Sequence, residues 1–157
     1  MGAHDAPVIT TVLSTAVDPR PTFNRALATA TKTIAAVRPD QQADPTPCGN
    51  GTVRELLEHL VRSLNRITVL GRGGDPLAGD GWVDMSRDGW VRSWTDARVS
   101  YKTVWSDDRA LAHADALANF VTELTRLTRD LATAIGFEPT WDDEVVAFAA
   151  ASGCCCA

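Results

Sequence analysis

Apolar residues recur along this chain at intervals of three and four, the spacing that lines one face of an α-helix. The first run, over 22–37, places Phe23, Leu27, Ala30, Ile34 and Val37 on one stripe, and Pro39 bars its continuation. A link rich in Pro and Gly follows, up to Gly51. Thr52 and Glu55 then stand three apart, the pattern of a capping box, and predict a second helix with Leu56, Leu57, Leu60, Val61, Leu64 and Ile67 on its buried face. That helix ends near Gly71, Gly73 and Gly74. Residues 72–88 read as a long loop. Trp90, Trp94, Tyr101 and Trp105 share a face and predict a third helix up to about Ser106. The longest run, 114–135, carries Leu117, Phe120, Val121, Leu124, Leu127, Leu131 and Ile135, with Gly136 as its C-cap. Thr140 and Asp143 resemble a further N-cap, opening a short last helix through Val145, Val146 and Phe148. No strand alternation and no internal repeat interrupts this pattern, so the expected fold class is all-α: an up-and-down four-helix bundle with a short additional C-terminal helix.

Length and charge narrow the picture. At 157 residues the chain is sized for one domain, expected over 20–150, with an N-terminal extension at 1–19 and a tail at 151–157. A net charge of -5 gives no electrostatic footprint for nucleic acid or for an anionic membrane surface, and neither partner is expected. No apolar run reaches the length of a membrane span, and the first residues lack the basic flank and apolar heart of a secretory signal. The expected location is the cytoplasm, where the four Cys are thiols rather than a disulfide framework.

Candidate chemistry then concentrates in a few places. Gly153 is followed by Cys154, Cys155, Cys156 and Ala157, three adjacent thiols with no packing explanation. They suit soft-metal capture, thiol exchange or enzymatic modification, and a Cys four from the end also fits a lax prenylation pattern. A tail of no function is the alternative. Cys48, in a Pro-rich turn before a helix N-terminus, is either an activated thiol or a small structural one. The aromatic stripe of the third helix reads as core or as the wall of a substrate cavity.

Two stretches also resemble a known family. The segment PTPC at 45–48 with TVRELLEHLV at 52–61, and the segment DLATAIG at 130–136 with WDDEVV at 141–146, resemble an actinobacterial branch of the DinB and mycothiol-dependent maleylpyruvate isomerase superfamily. The likeness covers about residues 20–150 and implies a DinB-like helical bundle holding a divalent metal, usually zinc. The metal ligands implied are a His on the second helix and a pair four residues apart on a later one. His59 matches the first and Glu123 the second, while Leu127 occupies the position where the family has His. Gly51 stands where the family usually has Trp, and the chain ends at Ala157 rather than continuing into the tail common in that branch.

Catalytic zinc takes three protein ligands and keeps one position open. His59 and Glu123 supply two, with His113 or a tail thiolate as conceivable additions. The alternative is an imidazole hydrogen-bonded to Glu123 or to a backbone carbonyl, partly buried, as a remnant of the family site. Asp130 reads either as an acceptor that orients a ligand or as a capping or surface residue.

Two functions follow. The resemblance implies thiol transfer or isomerisation, with mycothiol as cofactor, zinc lowering the thiol pKa, and a small-molecule thiol or electrophile as partner. The second is a non-catalytic scaffold or recognition domain whose Cys154–Cys156 tail binds a soft metal or meets a modifying enzyme. No Ser-His-Asp or Cys-His arrangement, phosphate loop or paired-carboxylate pattern offers another catalytic centre.

Overall fold

The computed structural model describes residues 18–47, 51–76 and 89–151. Among these residues the structure is helical, with α1 at Arg20–Ala35, α2 at Val53–Gly71, α3 at Gly89–Trp105, α4 at Ala114–Ile135 and α5 at Asp143–Ala151. Short 3-10 turns at Pro39–Gln41 and Asp108–His113 complete it. No described helix is long and apolar enough to cross a membrane.

The helix ends have identifiable local causes. The first helix begins two residues earlier than its apolar stripe suggested, because Asp18 accepts the Arg20 backbone N–H at 3.0 Å and Pro21 is preset for a first turn. It closes at Ala35, before Val37, because Pro39 forces Arg38 into an extended conformation. Val37 remains buried all the same. Helix α2 opens on the capping box expected from sequence, with the Glu55 N–H donating to Thr52 Oγ1 at 3.3 Å and the Thr52 N–H donating to Glu55 Oε1 at 3.3 Å. Gly136, at φ 70°, ends α4 in the left-handed region. For α5 the cap is Asp142, not Thr140 or Asp143. Its carboxylate accepts the Glu144 N–H at 2.9 Å and its carbonyl accepts from Val146 at 3.1 Å, which makes Asp143 the first helical residue.

Helix directions follow from paired contacts. Arg20 donates to the Trp105 carbonyl at 3.0 Å and Trp94 donates to Thr31 Oγ1 at 3.0 Å, so α3 runs antiparallel to α1. The Phe23 and Phe120 rings lie 5.6 Å apart and Gln41 donates to the Ile135 carbonyl, so α4 runs parallel to α1. His59 lies beside Glu123 and Leu70 shares a cleft with Ala116, so α2 opposes α4. The strict up-and-down alternation expected from sequence therefore does not hold. Helices α2 and α3 point the same way. Helix α5 folds back beside α1 and α4, pinned by Arg25 to Glu144 and to Asp142.

The first four helices contribute their predicted stripes to one core, while α5 gives it Val145, with Phe148 half-buried and the expected Val146 exposed. Trp90, Trp94, Tyr101 and Trp105 are all 2% exposed and line neither cleft described below, so the aromatic stripe is core. Trp105 also donates its indole N–H to the Ile67 carbonyl at 2.9 Å, joining α3 to α2. Four of the buried threonines satisfy themselves within their own helix. Thr33, Thr68, Thr125 and Thr128 each donate to the carbonyl four residues back, at 2.7 to 2.9 Å, so a Thr-rich sequence buries hydroxyls without a side-chain network.

Candidate functional site

The residues that match the family's metal ligands meet on facing turns of α2 and α4. His59 projects from the second turn of α2, and its Nε2 lies 3.4 Å from Glu123 Oε1. Both side chains are close to half exposed, which matches the alternative of a partly buried imidazole beside Glu123 and sets His59 at the rim of the α2 and α4 interface.

The same Glu123 oxygen has a second partner. Arg126, three residues on, donates to Oε1 at 3.1 Å, and its other terminal nitrogen lies 3.6 Å from Asp130 Oδ2. Asp130 is 4% exposed, which rules out the surface role expected as one alternative. A guanidinium thus bridges an exposed and a buried carboxylate on one helix face. A charge-assisted contact of this kind satisfies Glu123 with a resident cation.

Leu127, one turn on from Glu123, packs into the core at 2% exposure. The chain has thus placed an apolar side chain in the bundle interior. His113 is no substitute. It precedes the first turn of α4, ten residues before Glu123, or about 15 Å along the helix axis. Among the described residues no three His, Cys, Asp or Glu side chains form a group suited to a metal ion. This donor set does not fit the three-ligand zinc centre implied by the resemblance. Cys48 and Cys154–Cys156 lie outside the described residues.

Glu123 also borders a cleft of about 310 Å³ between α2 and α4. Its floor is apolar, from Ile67, Leu70 and Phe120, and its rim carries Ser63, Arg66 and Asn119. Such a mixture suits a small molecule with an apolar body and a polar end.

Gly51, the other departure from the family pattern, has a backbone cause. Its φ is 86°, a left-handed conformation in which a Trp would be strained, and its carbonyl accepts both the Thr46 N–H and the Thr46 hydroxyl at 2.9 Å. Sequence reasoning missed Arg126, although its spacing from Glu123 and Asp130, three before and four after, was readable as a helical charge ladder. No protein-family model, curated protein or solved structure matches the chain.

Proposed function

We propose that this chain is a non-catalytic, DinB-like recognition scaffold, and that its chemistry resides in the thiols Cys154, Cys155 and Cys156. The observation that carries this reading is the state of the family's ligand face. Glu123 is held by Arg126, and the adjoining ligand position is Leu127, buried in the core. The bundle then presents the tail that follows α5, and the tail thiols take up a soft metal ion or receive a covalent group from a modifying enzyme.

A second reading is favoured by the 3.4 Å approach of His59 to Glu123 beside an apolar cleft. It makes the chain a thiol-dependent transferase or isomerase that binds mycothiol or a similar thiol beside a zinc ion held by His59 and Glu123. The test is the intact mass and metal content of the natively expressed protein, beside a variant ending at Gly153. Metal or added mass in the full-length protein alone supports the scaffold. One equivalent of metal in both overturns it and assigns the ion to His59 and Glu123.

A further inference from the structure

A second cleft, of about 440 Å³, lies at the opposite end of α2 from the capping box, where the ends of α2 and α3 meet the 3-10 turn that leads into α4. Its charged and titratable lining is Arg72, Asp107, Arg109 and His113. Two arginines against one aspartate give it a positive balance before His113 is considered, on a chain whose net charge is -5. We propose that this cleft binds a small oxyanion-bearing metabolite, through a phosphate or carboxylate group held by Arg72 and His113.

The roles of the cationic groups differ. Arg109 is committed to Asp107, with Nη2 2.8 Å from Oδ2, so it contributes field more than a free donor fork. Arg72 and His113 form no ion pair with any described residue, and both reach the cleft from chain positions that immediately follow or precede a helix. A guanidinium fork matches a planar carboxylate or two phosphate oxygens, and a ring N–H adds a third donor.

Part of the competing field at this end is met locally. The ends of α2 and α3 expose carbonyl oxygens, which repel an anion. Here the Thr68 and Val69 carbonyls accept from the Arg72 backbone N–H, Leu70 from the Gly73 N–H, Ile67 from the Trp105 indole, and the Trp105 carbonyl from the Arg20 side chain. At the start of α4 no side chain caps the helix, and the Ala114 N–H donates to the Leu111 carbonyl of the preceding 3-10 turn, so the anion-binding groups here are the side chains. The glycines keep the space open. Gly71 admits the Trp105 ring and no side chain, and Gly73 makes its turn at φ 85°. The volume is that of a metabolite-sized site.

The test is an amide-resolved NMR titration of the full-length protein with inorganic phosphate and, separately, with succinate, at constant pH and ionic strength. Saturable shifts are expected at amides 71–73 and 110–114. The double variant R72A/H113A should weaken binding at least about tenfold, the scale of losing charge-assisted hydrogen bonds. Arg72 is exposed and His113 makes no capping bond, so the double variant should keep its amide dispersion. The single variant R72A serves if it does not. A response to phosphate alone assigns a phosphate ester, to succinate alone a carboxylate, and to both either group. No saturable shift with either probe, or binding undiminished in the variants, overturns the proposal. The scaffold reading and this one fail separately, since the first is read from metal and mass at the C-terminus.

Discussion

The indole of Trp105 rests on Gly71 so closely that a Cβ on the glycine would stand 2.5 Å from Nε1. Trp105 is 2% exposed and bonded to Ile67, so it has no room to withdraw. Gly71→Ala gains helix propensity, worth about 1 kcal/mol, but overpacks a rigid ring, which costs about 1–3 kcal/mol. The expected outcome is a net loss of up to about 2 kcal/mol in urea unfolding, with the Ile67 hydrogen bond disturbed. A gain in stability would show that α2 and α3 can separate at this end.

Arg126 gives the candidate site its second prediction. Its guanidinium joins Glu123 to the buried Asp130, so Arg126→Ala removes a partner from a carboxylate that solvent barely reaches. A loss of about 1–3 kcal/mol is expected, the cost of taking a charged partner from a buried group. Arg126→Lys should recover only part of it, because an ammonium does not bridge two carboxylates as a planar fork does. Equal stability of the wild type and the alanine variant in denaturant would show that the bridge is incidental.

How far the sequence reached follows from what kind of signal each feature leaves. The stripes through Leu57, Leu60 and Leu64, and through Leu117, Val121 and Leu124, were legible because core burial imposes a period along one helix. The Thr52 cap was legible because its partner Glu55 is local. Helix direction was not, since α2 and α3 lie parallel through contacts such as Trp105 to Ile67, separated by 38 positions. The same limit applies to the site. His59 and Glu123 were named through resemblance alone, and nothing within either helix announces that they meet across 64 positions. Asp130 was misplaced because an aspartate on a helix usually faces solvent, whereas here it is buried beside Arg126.

Tyr101 presents a buried phenol with no hydrogen-bond partner among the described residues, packed 4.7 Å from the Phe23 ring. Burial pushes its ionisation well above the usual phenol range. Below about pH 10 the phenol is protonated in both folded and unfolded chains, so it adds no pH dependence there. Above that, the unfolded chain ionises while the folded one does not, and stability falls as pH rises. Tyr101→Phe should therefore be neutral or slightly stabilising near neutrality, since it removes an unpaired hydroxyl. It should also lessen the alkaline loss seen above about pH 10. Identical alkaline profiles for the two proteins in thermal unfolding would refute this account.

The sharpest test of the ligand face is Leu127→His. Leu127 is 2% exposed, so an imidazole there replaces a packed side chain by a polar group with no arranged partner, and without metal a loss of about 2–4 kcal/mol is expected. If the backbone of α2 and α4 still keeps the spacing of the family site, zinc should return much of that loss by binding His59, Glu123 and the new imidazole. Adding Arg126→Met should strengthen the response, because it frees the Glu123 oxygen now engaged at 3.1 Å. The readouts are melting temperature with and without zinc, and zinc stoichiometry after dialysis. Recovery by zinc in the variant but not in the wild type would show that a metal centre was closed off by one substitution and one competing guanidinium. Without recovery in either variant, the facing turns of α2 and α4 do not keep metal-site geometry, and the likeness at His59 and Glu123 is one of sequence only.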